Sequence, residues 1–306
     1  MDRRRFLNLA AATGATTAFG TLPSPSFAQS RELINRKIPS SGTAVPILGM
    51  GTWITFNVGK STSLRNKRLE VLKAFFEGGG GMIDSSPMYG SSEEVVGYCL
   101  EQLPPQEKLF TATKVWTVSK WMGVKQMETS QSLWGHKTFD LMQIHNLVDW
   151  EVHMETLNAW KSEGRIKHTG ITTSHGRRHG EFEKIARDHA FDFAQFTYNV
   201  EDREAEDRLL PMAAERGMGV IVNRPFQRGA LIKKLAGKPL PPWASEIGVS
   251  SWPQFLLKFV ISHPAVTCAI PATSNPAHMI ENLEAGRGVL PDPQMRSRMV
   301  TYVQSL

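Results

Sequence analysis

Four side chains in the first half of this chain assemble the materials of proton transfer: Asp84, Tyr89, Lys114 and His145. A carboxylate, a phenol, an amine and an imidazole pack poorly, because each costs free energy to bury unless it finds a partner. Together they can hold, donate and accept protons, and groups that perturb one another's pKa mark catalytic sites. Three share a setting. Asp84 ends the run Met82-Ile83-Asp84, Lys114 stands near the end of Thr111-Ala112-Thr113-Lys114-Val115-Trp116, and His145 ends Asp140-Leu141-Met142-Gln143-Ile144-His145. Tyr89 lies just beyond a Ser-Ser-Pro turn that can fold it back towards Asp84. Taken singly, each has a plain structural explanation: a loop cap, a rim aromatic, a neutralising partner, a core histidine. Their common place at, or one turn beyond, the ends of strand-like runs makes them a candidate site.

The elements that must position them alternate. Strand-like runs fall at 45–55, 81–84, 109–116, 140–145, 168–174, 191–199, 219–225 and 266–271, with amphipathic stretches at 66–77, 93–102, 120–133, 150–162, 180–188, 203–216, 252–262 and 276–284. In the first of those stretches Leu69, Leu72, Phe75 and Phe76 carry the spacing of a buried helical stripe. Eight strand–helix pairs predict a single-domain (β/α)8 TIM barrel, in which the C-terminal ends of the strands share one mouth. An open doubly wound sheet would call for GxGxxG after its first strand; Gly49-Met50-Gly51-Thr52-Trp53 lacks the third glycine. The long connection 229–251, with Gly237, Pro239, Pro241, Pro242 and Gly248, is expected on the ligand-binding face, a solvated insertion being the alternative.

Composition sets the outer bounds. With 306 residues, 41% hydrophobic and 21% charged, the chain is neither collagenous nor low-complexity, and it is long enough to bury a core without staples. Cys99 and Cys268 lack metal or redox spacing and are expected as free thiols on a helix and an inner strand. Past the N-terminus, the basic residues behind the charge of +6 are scattered apart from Arg177-Arg178-His179, so no nucleic-acid partner is expected. His175 and His179 lack a paired carboxylate or thiol in a loop-like segment, and no metal site is expected.

The N-terminus reads as an address. Arg3-Arg4-Arg5 precede a weakly apolar stretch, and Ser26-Phe27-Ala28 offers small residues where a signal peptidase cuts. Arg3-Arg4-Arg5-Phe6-Leu7 resembles the twin-arginine motif, so residues 1–28 are expected to be an export signal and 29–306 the barrel. Use of the twin-arginine export machinery and a periplasmic location follow from that resemblance. No later stretch is apolar enough to span a bilayer.

The segments Asp84…Tyr89-Gly90, Thr113-Lys114-Val115-Trp116 and Asp140-Leu141…His145 resemble the aldo-keto reductases, and the likeness extends from Leu48-Gly49-Met50-Gly51-Thr52 to Glu281-Asn282. It implies hydride transfer between a nicotinamide and a carbonyl or alcohol, the small-molecule substrate being an aldehyde, ketone or alcohol. Tyr89 would be the general acid, with Lys114 lowering its pKa, Asp84 holding Lys114, and His145 orienting the carbonyl and stabilising its developing charge. Trp53, Trp116 and Phe226 would wall the substrate side, with a core role as the alternative for the two tryptophans.

The resemblance also implies a cofactor site, and here the chain departs from the family pattern. Gly51 and Thr52 begin it. The carboxamide-binding pair is Thr172-Thr173 where the family has Ser-Asn, while Gln195 is kept; Thr173 has a single hydroxyl where the family's amide offers separate donor and acceptor groups, so the contact is expected to be weaker or rearranged. Asn223 occupies the position of a stacking aromatic, although Pro225 and Gly229 keep the loop pattern. Arg224 and Arg228 are either pyrophosphate ligands or surface arginines. Thr273, Ser274 and His278 are candidates for a 2′-phosphate, although Ala272 and His278 replace the family's usual Lys and Arg. Glu281 and Asn282 match the adenine-contacting pair. Family habit favours NADP(H) over NAD(H). These departures leave open a non-catalytic, nucleotide-sensing or partner-binding protein on the same barrel.

Overall fold

In a computed structural model, which describes residues 32–306, the chain forms the predicted barrel. The expected export signal lies outside the described residues. Eight parallel strands follow one another around the sheet: β3 (Met50–Gly51), β4 (Met82–Asp84), β5 (Phe110–Val115), β6 (Phe139–Ile144), β7 (Ile166–Thr172), β8 (Phe193–Thr197), β9 (Gly219–Asn223) and β10 (Cys268–Ala269). The ring closes where Gly49 N–H donates to the Ala269 carbonyl at 2.9 Å and Gly51 N–H to the Pro271 carbonyl at 3.1 Å. Gly49 permits that approach: a Cβ there would sit 2.8 Å from the Met82 carbonyl oxygen.

Outside run α1 (Thr62–Glu77), α2 (Ser92–Glu101), α3 (Lys120–Trp134), α4 (Trp150–Ser162), α5 (His179–Asp188), α6 (Leu209–Glu215), α7 (Ala230–Leu235), α8 (Trp252–Ile261), α9 (Pro276–Glu284) and α10 (Pro293–Gln304). The stripe in α1 forms as its spacing requires: Leu69, Leu72 and Phe75 are buried and Phe76 is half-buried, while the Ser61 side chain caps the helix by accepting from Leu64 N–H.

Four elements differ from the sequence reading. The run 45–55 is two strands: Pro46 ends β2 (Ala44–Pro46), which pairs antiparallel with β1 (Asn35–Lys37), and the chain re-enters the sheet at β3. The 203–216 segment is helical only in its second half beyond a single 3-10 turn. The 229–251 connection contains α7, and α10 follows α9. Short polar hairpins and a proline-rich connection carry too little periodicity to be read locally. Cys99, on α2, and Cys268, on β10, are buried free thiols, as expected.

The barrel interior changes character along its axis. At the N-terminal end Ile38 and Val45 of the hairpin pack against Met82, Phe110, Leu141 and Phe193. Two residues further along each strand the inward series turns polar: Met82 is followed by Asp84, Ala112 by Lys114, and Leu141 by Gln143 and then His145. The period-2 alternation of a strand puts each series on one face. The hairpin closes the lower end, so the polar groups have one way out, the C-terminal mouth.

Candidate active site

The mouth is a groove of about 520 Å³ lined from the ends of every barrel strand except β5 and from the loop after β9. Asp84, Tyr89 and His145 line its floor, and Lys114 lies behind them, sealed from solvent. The structure thus brings the four candidates together. Lys114 Nζ donates to Asp84 Oδ2 at 2.5 Å and to the Ser85 carbonyl at 2.8 Å. The other carboxylate oxygen, Oδ1, accepts amide N–H bonds from Gln143 and Gln195, both at 3.0 Å. Lys114 Nζ is 5.2 Å from the centre of the Tyr89 ring, and that ring meets His145 edge-on with centroids 5.8 Å apart.

The turn that returns Tyr89 is held by short side chains. Ser86 caps a single 3-10 turn, Pro87–Tyr89, and Ser92 Oγ donates to the Tyr89 carbonyl at 2.9 Å. Thr52 Oγ1 lies 2.8 Å from Ser85 Oγ and 3.1 Å from the Asp84 carbonyl, so this wall residue also braces the turn.

These contacts sort the protons. Burial would push Lys114 down, but Asp84 and Tyr89 reverse that and its pKa is raised. Burial pushes the Tyr89 phenol up against the pull of Lys114, helped by Asp84, and the net direction is upward. The expected pull of Lys114 is present, but the expected net lowering is not: in the protein alone, desolvation of the phenolate outweighs the nearby cation. Burial and the Lys114 charge together hold His145 well below its usual value, so it is neutral near pH 7. At neutral pH the floor presents a protonated phenol and a neutral imidazole, with an ammonium behind them.

Of the remaining expected residues, Gly51, Thr52, Trp53, Thr172, Thr173, Gln195, Asn223, Pro225, Phe226, Arg228, Thr273, His278, Glu281 and Asn282 line the groove. Trp116 does not. It is 42% exposed, one residue past the end of β5, with its backbone held by the Gln126 amide. Ser274 is also outside the lining and exposed, one residue beyond the inward-facing Thr273.

The departures at the cofactor positions have structural counterparts. Asn223 is a strut: its Oδ1 accepts from Thr197 Oγ1 at 2.7 Å and its Nδ2 donates to the Thr173 carbonyl at 3.1 Å. The Thr173 hydroxyl donates to the Arg177 carbonyl at 2.5 Å, and that of Thr172 accepts from Asn146 N–H at 3.0 Å. Gln195 has one amide hydrogen on Asp84. Arg228, in the loop after β9, lies over the Trp53 ring at 4.3 Å, joining that loop to the one after β3. Beside it, Arg224 has Nε and Nη1 buried without a partner, an arrangement that suits an anionic ligand.

Sequence reasoning missed Asn146, His175 and Lys233, which line the groove, and Gln143 beneath it. Alternation could have found Gln143, two residues before His145 on one strand. Asn146 sits at φ +54° just past the strand end, and Lys233 arrives on α7; neither has a local signal.

Fold and site together define a single-domain (β/α)8 barrel with a proton-handling cluster at the floor of its C-terminal mouth. The aldo/keto reductase family profile matches residues 47–298, and the chain belongs to that family. It is 28% identical over 250 residues to methylglyoxal reductase YeaE of Escherichia coli (strain K12), covering 79% of this chain and 86% of that protein. It is 25% identical over 215 residues to aldo-keto reductase YhdN of Bacillus subtilis (strain 168), covering 65% and 63%. An aldo-keto reductase of Klebsiella pneumoniae, solved in complex with NADPH, superposes with a TM-score of 0.74 at 21% identity, covering 89% of this chain and 96% of that one.

Proposed function

We propose that this protein is an NAD(P)H-dependent carbonyl reductase, with Tyr89 as the general acid. The observation that carries this reading is the buried Asp84–Lys114 pair behind Tyr89, beside a neutral His145, at the floor of an open groove. The nicotinamide, when bound, supplies the hydride. The chain's own residues handle the proton: Tyr89 releases it to the carbonyl oxygen, and Lys114 stabilises the phenolate left behind. Asp84 holds Lys114 in place and charged, and His145 hydrogen-bonds the carbonyl oxygen as negative charge develops there. Trp53, Met88 and Phe226 offer apolar wall to a small aldehyde or ketone; a short 2-oxoaldehyde such as methylglyoxal is a suitable first probe.

The residues fit a dinucleotide. Thr172, Thr173 and the free carbonyl oxygen of Gln195 would meet the carboxamide, with Asn223 bracing Thr173 rather than stacking. Arg224, whose orphaned guanidinium nitrogens await an anion, and Arg228 would hold the pyrophosphate. Thr273 and His278 would meet a 2′-phosphate, and Glu281 and Asn282 the adenine, with NADPH preferred to NADH. The N-terminal segment would carry the folded protein to the periplasm through the twin-arginine pathway.

The committed side chains of Thr173 and Asn223 favour a second reading, a nucleotide-sensing or partner-binding protein on the same barrel. A tryptophan-fluorescence titration with NADPH and then NADH separates the two. Saturable micromolar binding, followed by NADPH-dependent reduction of methylglyoxal or another small carbonyl, supports the reductase. Absence of binding to either nucleotide overturns it.

A further inference from the structure

Ser86 lies in the turn between Asp84 and Tyr89 and is sealed from solvent, as is most of His145. Its Oγ makes two contacts. It accepts from the Met88 backbone N–H at 3.2 Å, and it lies 2.9 Å from His145 Nδ1. Pro87, between them, has no N–H to offer. The hydroxyl hydrogen needs an acceptor, and no water reaches a fully buried side chain to provide one. Were Nδ1 to carry the imidazole proton, Ser86 would accept twice and its own hydrogen would be stranded, which costs the full desolvation penalty of a buried donor. With Nδ1 bare, every group is satisfied: Met88 donates to Ser86, and Ser86 donates to His145.

We infer that Ser86 is a positioning residue that fixes His145 as the tautomer protonated at Nε2, the nitrogen with no hydrogen-bond partner among the described residues. A neutral imidazole has one N–H, and which nitrogen carries it follows from the hydrogen bond made by the other. Ser86 therefore decides that His145 presents a donor, rather than a lone pair, to the groove. A lone pair there would repel a carbonyl oxygen gaining negative charge, and would compete with it for the Tyr89 proton. The depressed pKa of His145 supports the argument, since only a neutral ring has a tautomer to fix.

This inference rests on the reading of His145 as the hydrogen-bond donor to the carbonyl, so the test separates the two. The decisive measurement is nitrogen NMR of uniformly 15N-labelled protein near pH 7, the His145 ring signals being assigned by their loss in His145→Gln. Expected is an unprotonated Nδ1 and a protonated Nε2 in the unsubstituted protein. Ser86→Ala should give mixed tautomers and a kcat for NADPH-dependent methylglyoxal reduction lower by roughly tenfold, less than the ~10²–10³-fold expected when an oxyanion donor is removed outright. NADPH affinity should stay unchanged, and Ser86→Thr, which keeps the hydroxyl, should restore both tautomer and kcat. A proton on Nδ1 in the unsubstituted protein overturns the inference even if Ser86→Ala fails to fold. So does a Ser86→Ala protein whose tautomer and kcat are both unaltered. Undiminished turnover in His145→Gln would instead remove the role of His145 itself, whatever its tautomer.

Discussion

The Lys114 ammonium and the Asp84 carboxylate meet at 2.5 Å, the first sealed from solvent and the second nearly so. Because Gln143 and Gln195 occupy the second carboxylate oxygen, Asp84 cannot swing away, and Lys114 stays against the Tyr89 ring. Removing one member of a buried ion pair strands the other charge, at a cost of about 3–5 kcal/mol. Asp84→Asn should therefore lower the urea midpoint by an equivalent amount and leave Lys114 free to lose its proton. A variant as stable as the parent would show that the amide network, not the charge pair, carries the stability.

Tyr89→Phe removes the transferable proton without emptying the space. Its kcat for carbonyl reduction should fall by about 10²–10⁴-fold with NADPH affinity nearly intact. Steady-state kinetics alongside the fluorescence titration measure both, and turnover close to that of the parent would place the proton donor elsewhere.

The pKa directions predict the pH profile of reduction. Tyr89 must be protonated, and burial raises its pKa above 10.0; His145 must be neutral, and burial with the Lys114 charge keeps its pKa well below 6.5. The reduction rate should be level from about pH 7 to 9, whereas alcohol oxidation, which needs the phenolate, should rise with pH. A bell centred near neutrality would mean that another group titrates in the reaction.

Two histidines predict acid sensitivity. Burial and the Lys114 charge depress His145, and burial takes His263 from 6.5 to about 4. Below pH 6.5 the unfolded chain then binds protons that the folded one refuses, so stability is complete above 6.5 and lost as the pH falls through the folded values. Thermal melts from neutral pH down to about 4.5 should show this loss, and His145→Gln should blunt it.

Gly97 on α2 faces the last turn of α3 so closely that a Cβ would lie 1.8 Å from the Leu133 carbonyl oxygen. The same two helices share buried Glu93, which accepts from Ser130 Oγ at 3.0 Å and Trp134 Nε1 at 3.2 Å. Gly97→Ala must push the helices apart, and a loss of at least about 1–3 kcal/mol should appear in thermal melts. An unshifted melt would mean that α2 can slide without disturbing Glu93.

Replacement of Arg3 and Arg4 by Lys should retain the protein in the cytoplasm if the proposed twin-arginine export is right, as cell fractionation would show. Unchanged periplasmic recovery would assign export to another route.

Sequence alone determined the barrel, because eight alternations of period-2 and period-3.6 patterning admit few architectures and each element carries its own periodicity. It also determined the four candidates, since Asp84, Lys114 and His145 sit at or near strand ends, Tyr89 follows in the turn just beyond one, and the ends of barrel strands meet. Tertiary structure decided what those residues face. That Tyr89 is pushed up rather than down reflects how deeply its ring is enclosed, a property of the whole mouth. That Trp116 leaves the groove while Asn146 and Lys233 join it depends on how chain turns after the strand, where no repeat constrains direction. Likewise the Asn223 strut and the Ser86–His145 contact join residues 50 and 59 positions apart respectively. Hydrogen-bond partners of that separation are set by the closing of the barrel, and nothing local in the chain encodes them.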